Sequence, residues 1–122
     1  MRIFKYRKFH KWSIDENLSD KALIHAVNEM EQGLFDANLG GGLYKKRIAR
    51  AGKGKRSGYR VLLTFKAENR TIFIDGFAKN ETENVNEKTQ RSFQNLGQYY
   101  ISANDVQLNH AIKIGELIEV II

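Results

Sequence analysis

On an extended strand, residues two apart point to the same side. Lys45 and Arg47 stand at that spacing within the polar–apolar run Leu43 to Arg50. Arg60 opens the run Tyr59 to Phe65, across a glycine-rich stretch from Gly52 to Gly58. Folded as a hairpin, the two runs bring Lys45, Arg47 and Arg60 together. Such a cluster can hold a phosphate and offset the charge that builds up on it, the main protein contribution to phosphoryl chemistry. A crowded lysine can also serve as a general base near neutral pH. The residues by themselves leave open whether this face reacts with phosphates or only binds them.

Other chemistries lack their parts. The stretch Gly52 to Gly58 is basic and glycine-rich, but it misses the Gly-x-x-x-x-Gly-Lys-Ser/Thr spacing, and a strand rather than a helix follows it. His10, His25 and His110 are scattered, no carboxylates cluster with them, and no histidine occurs between 26 and 109, so neither a metal site nor a serine triad is expected. The chain has no cysteine, which excludes disulfides and thiol chemistry and fits a reducing compartment. No metal or other cofactor is expected.

The net charge of +6 is localised. Between Asp36 and Glu68 no acidic residue occurs, while Lys45, Lys46, Arg47, Arg50, Lys53, Lys55, Arg56, Arg60 and Lys66 all fall there. The rest of the chain has eleven basic and fourteen acidic groups, a net −3. A block of this kind is the electrostatic footprint of a polyanion-binding face. Tyr44, Tyr59 and Phe77 lie among the cations, where rings can stack on the bases of single-stranded RNA or fill a core.

The elements that position these residues read as one α+β domain over 1–122. Length, 42% apolar residues and the absence of proline all favour a single compact unit. Residues 2–6 suit a short strand, and about 8–16 a short helix. Ser19 reads as the N-cap of an amphipathic helix over 20–32, carried by Leu23, Ala26, Val27 and Met30 and ending at Gly33. Leu43 to Arg50, Tyr59 to Phe65 and Arg70 to Phe77 read as an antiparallel meander, with 52–58 as a flexible hairpin loop. Asn84 or Asn86 is expected to cap a helix running to about Tyr100, and Ser102 a further helix ending at Gly115. Leu117 to Ile122 suits a terminal strand or a docking segment. No apolar run approaches the ~20 residues that cross a membrane, and no signal peptide follows the basic Met1 to Lys5, so a cytoplasmic location is expected.

Three segments are recognisable together: Leu39-Gly40-Gly41-Gly42-Leu43-Tyr44-Lys45-Lys46-Arg47-Ile48-Ala49, Gly52-Lys53-Gly54-Lys55-Arg56-Ser57-Gly58-Tyr59-Arg60, and Gly76-Phe77-Ala78-Lys79-Asn80-Glu81. They resemble the RelE/HigB-like toxins of bacterial type II toxin–antitoxin pairs, over a core of about 1–100, with a helical C-terminal extension over about 101–122 that also resembles that branch. Ala51 stands where a proline is usual. The resemblance implies a RelE-like two-layer fold, an antiparallel sheet with N-terminal helices. It implies a ribosome-dependent endonuclease that cuts mRNA by attack of the ribose 2′-OH on the adjacent phosphodiester, without a metal. Carried over by position, Lys45 and Arg47 match the basic pair on the second strand, Arg60 the arginine at the scissile phosphate, and Lys79 the basic motif after the last core strand, with Glu81 beside it. Lys46, Arg50, Lys53, Lys55, Arg56, Tyr59 and Asn80 are the expected RNA-binding residues around them. Better-known members have an arginine where Asn80 stands and a tyrosine near the position of Asn86, a departure that bears on the acid–base assignment.

The expected partners are mRNA on the ribosome and a cognate helix-turn-helix antitoxin with which the toxin forms an oligomer. No membrane partner is expected. Two rivals remain: a toxin of the same fold directed at DNA gyrase, in the manner of ParE, and a non-catalytic RNA- or ribosome-binding module.

Overall fold

The computed structural model describes residues 1–50, 54–78 and 86–122, and for residues 54–57 it describes the backbone alone. In chain order the elements are β1 (Arg2–Tyr6), α1 (Arg7–Asp15), α2 (Asp20–Glu31), β2 (Ala37–Gly40), β3 (Leu43–Arg50), β4 (Gly54–Lys66), β5 (Arg70–Phe77), α3 (Glu87–Ile101), α4 (Asp105–Lys113) and β6 (Leu117–Val120). Among the described residues the strands form one sheet in the order β2-β3-β4-β5-β1-β6. The fold is α+β, with helices on both faces of the sheet. Its pairings are antiparallel except for β1 beside β5, which run parallel because α1, α2 and three strands intervene between them.

Alternation along the strands sends side chains into two cores. Ile3, Val61, Leu63 and Phe73 pack with Phe9 of α1 and with Leu23, Val27 and Met30 of α2. Phe4, Leu43, Leu62, Ile72 and Ile74 pack on the other face with Tyr100 of α3 and with Leu108 and Ala111 of α4. Each fully buried side chain of this size contributes roughly 1.5–3 kcal/mol, so the two layers are what hold the sheet.

Local signals account for most helix ends. The Ser19 hydroxyl accepts the Ala22 N–H, as expected for the cap of α2, and Asn86 accepts the Thr89 N–H at the start of α3. The cap of α4 differs from expectation. Asn104 makes it, in a reciprocal box with Gln107, whereas the Ser102 hydroxyl donates back to Gln98 O at 2.7 Å. An amide side chain at that position satisfies the orphan N–H groups of the new helix.

Two further corrections concern strands. β4 already begins at Gly54, so the hairpin connection is shorter than the loop expected over 52–58; Gly52 and Lys53 lie outside the described residues. β2, unforeseen, pairs with the start of β3 through Ala37↔Lys45 and Asn38↔Tyr44. The C-terminal segment is built into the domain. β6 pairs antiparallel with β1, and Leu117 and Val120 are buried.

α3 crosses one end of its face of the sheet. Gln90 and Gln94 donate to Leu39 O, and Gln98 donates to Gly41 O at 2.6 Å. Their targets are the carbonyl just before the Gly40-Gly41-Gly42 turn and one within it, and the turn's φ values of 85°, 60° and 79° explain its glycines. Gly97 lies so close to β4 that a methyl group there would overlap the Thr64 hydroxyl. Arg70 fixes the far end of α3, its Nη1 donating to the carbonyls of Tyr100, Ile101 and Ala103.

Candidate active site

Register assembles the site at the opposite end of that face. Lys45 lies opposite Leu62, and Leu62 opposite Asp75, so these three form one row across β3, β4 and β5. Arg47, Arg60 and Phe77 form the next row. Residues directly opposite in antiparallel strands share a face, and Leu62 belongs to the core under α3 and α4, which assigns both rows to that face. α3 covers the sheet at Thr64 and the glycine turn and leaves Arg47 exposed and Lys45, Arg60, Asp75 and Phe77 half-buried.

A β-bulge completes the arrangement. Leu62 pairs with Asp75 and Leu63 with Phe73, so Ile74 is an extra residue in β5. Strict alternation would send Phe73, Asp75 and Phe77 to one side. Phe73 does pack in the α1/α2 core, but Asp75 and Phe77 are switched to the side of Arg60. The switch turns Gly76 towards α1, where any Cβ would overlap the Trp12 ring, so only glycine fits.

The geometry at Arg47 is charged and close. The Arg47 N–H points away from β4 and donates to Asp36 Oδ2 at 2.6 Å. Arg47 and Arg60 therefore form a non-hydrogen-bonded pair, the type in which facing side chains approach most closely. Asp36 Oδ1 lies 3.6 Å from Arg47 Nε and offsets part of the repulsion. Like charges directly opposite each other destabilise a sheet. Two arginines held this way are suited to a ligand that supplies negative charge between them.

Several expected RNA-binding residues lie elsewhere. Lys46 is on the α1/α2 face with its side chain only 3% exposed, and its Nζ is 3.0 Å from Glu29 Oε1. It is a structural ion pair rather than an RNA contact, because the strand alternation that exposes Lys45 and Arg47 buries the residue between them. Tyr59 is buried on that same face. Its hydroxyl donates to Glu16 O, its ring meets Trp12 edge-on, and no face remains for a base. Arg50 also points to that side, its guanidinium 5.0 Å from the centre of the Tyr59 ring, beside a cleft of about 450 Å³ lined by Glu16, Asn17, Ser19 and Ala22. Tyr44 packs there too, against Phe35 and Phe65. The ring on the basic face is Phe77. Lys53, Lys79, Asn80 and Glu81 lie outside the described residues, as do the side chains of Lys55 and Arg56.

Asp36 and Asp75 were not foreseen. Asp36 closes the acid-free block at its N-terminal side and reads as its boundary, not as part of it. Asp75 did leave a signal: an acid followed by glycine inside the apolar strand Ile72-Phe73-Ile74 marks a bulge.

The class defined by this fold is a small single-sheet α+β domain with one face half open and cationic. The family model described as "RelE toxin of RelE / RelB toxin-antitoxin system" matches residues 1–120. The chain belongs to the RelE family of toxins from toxin–antitoxin systems, a membership that implies a cognate antitoxin as partner. The match includes β6. No helix among the described residues is long and apolar enough to cross a membrane.

Proposed function

We propose that this toxin acts as an endoribonuclease that cuts mRNA in the ribosomal decoding site. The observation that carries the reading is the direct opposition of Arg47 and Arg60 on the part of the sheet that α3 leaves open. A phosphodiester between the two guanidiniums relieves their repulsion. As its geometry becomes trigonal-bipyramidal and its charge grows, preorganised donors stabilise it more than they stabilise the ground state. The attacking group is the ribose 2′-OH, a nucleophile that the RNA itself provides. Phe77, in the row of the two arginines, gives a flat apolar surface for a neighbouring base. Lys45 supplies a further cation one row away. The ribosome would present the message single-stranded and extended, which removes the cost of unpairing it.

Induction of the wild-type protein in cells, with mapping of RNA 5′ ends, tests this. Translation should stop within minutes, with new 5′ ends inside translated reading frames. DNA damage with intact messages would support the gyrase-directed alternative instead. Intact messages with the protein bound to ribosomes would support a binding module.

A further inference from the structure

The open face has cations in abundance but needs a group that takes up a proton. Among its described residues, Lys45, Arg47, Arg60, Asp75 and Phe77, the guanidiniums stay protonated, the ring is inert, and a lysine ammonium has no acceptor until it first loses a proton, which suits Lys45 better to giving one up. Histidine, the commonest base in such chemistry, is absent from 26 to 109. Asp75 remains. We propose that its carboxylate is the general base for RNA cleavage, an assignment that rests on the endoribonuclease reading above.

Placement carries the argument. Asp75 reaches this face only because Ile74 is bulged out of register, and β-bulges beside active sites commonly re-aim one side chain. Aspartate is disfavoured in strands. A bulge turns this one onto the cationic face, in the row of Lys45 and next to the row of Arg60, beside the place proposed above for the phosphodiester. Its Oδ1 accepts the N–H of Gly76 at 2.9 Å, which fixes the carboxylate against its own strand. Preorganisation of this kind is what a base needs to meet a hydroxyl at hydrogen-bond distance.

The step balances as follows. The 2′-O–H bond breaks and its proton passes to Asp75. The O2′–P bond forms and the P–O5′ bond breaks, leaving a 2′,3′-cyclic phosphate. The departing 5′-oxygen takes a proton from the Lys45 ammonium and becomes a 5′-hydroxyl. Exchange with water then restores both side chains.

The test is single-turnover cleavage on ribosomes carrying a message that the wild-type protein cuts, comparing the wild type with Asp75→Asn. The amide oxygen still accepts the Gly76 N–H, so the bulge is kept, and an unchanged melting temperature verifies this. Loss of a general base should slow cleavage by about 10²–10⁴-fold with ribosome affinity unchanged. A second substrate has sulfur in place of the 5′-bridging oxygen at the cleaved linkage, a leaving group that needs no proton. It should restore cleavage by Lys45→Ala but not by Asp75→Asn. A rate for Asp75→Asn within about threefold of the wild type, rescue of Asp75→Asn by the sulfur substrate, or a loss confined to affinity would each overturn the assignment. In any of these cases wild-type cleavage leaves the endoribonuclease reading standing. If the wild-type protein cuts no message on ribosomes, that reading fails and the assignment falls with it.

Discussion

Arg47 and Arg60 face each other directly across β3 and β4, two cations in the closest register an antiparallel pair allows. Like charges so placed tend to destabilise a sheet, and an anion bound between them would offset that repulsion. Arg60→Ala should therefore lower single-turnover cleavage by about 10²–10³-fold, the usual loss for one preorganised donor. Ribosome affinity should fall far less. Equal losses in rate and affinity would mean that the face only docks RNA.

Lys45 and Lys46 are neighbours with opposite roles. Lys46→Ala leaves Glu29 without its buried ammonium partner and should cost about 3–5 kcal/mol in chemical denaturation. Lys46→Met, which fills the same space, should not restore that loss unless Glu29→Gln accompanies it. Lys45→Ala should change stability by less than about 1 kcal/mol while slowing cleavage.

Gly97 sets how closely α3 lies on the sheet. Gly97→Ala gains helix propensity worth roughly 1 kcal/mol, yet its methyl group would overlap the Thr64 hydroxyl. The variant should be destabilised, with faster amide exchange in α3 and at the Gly40–Gly42 turn that Gln94 and Gln98 hold. The pairing of Gly97→Ala with Thr64→Ala should recover part of the loss, because the second change removes the overlapping atoms.

The β1–β6 pairing carries a pH dependence. Arg2 meets the Glu119 carboxylate with two hydrogen bonds, of 2.9 and 3.0 Å. The hydrogen bond from Arg2 holds Glu119 below its ordinary value of 4.5, and its attraction adds to this against the opposing effect of burial. The unfolded chain therefore binds that proton at higher pH than the folded one. The stabilisation is present above about pH 4.5 and is lost as pH falls through the folded value. Denaturation midpoints of Glu119→Gln should fall less steeply on acidification than those of the wild type.

The last six residues divide sharply. Leu117 and Val120 are buried, whereas Ile121 and Ile122 are 80% and 75% exposed. A chain ending at Val120 should match the full-length protein within about 0.5 kcal/mol. A chain ending at Gly115 loses β6 and should unfold or melt far lower, so it cannot serve to test whether the C-terminal strand contacts the antitoxin.

Local chemistry determined much of this protein before any tertiary contact is considered. Apolar spacing and the Ser19 cap define α2, the meander β3-β4-β5 follows from its β-branched and aromatic runs, and the charge block identifies the strands that bear the basic face. The three glycine- and lysine-rich segments also suffice to resemble the family whose model spans 1–120. Side of sheet is a different matter. Alternation separates Lys45 and Arg47 from Lys46, but only the packing of α2 and α3 from distant parts of the chain decides which set is buried. Tyr59 and Arg50 went to the α1/α2 side for that reason. The Ile74 bulge decides the rest. A single unpaired residue inverts the facing of everything after it, so Asp75 and Phe77 join Arg60 through the register of β5 against β4, a relation between strands that a period-two pattern read along β5 does not contain.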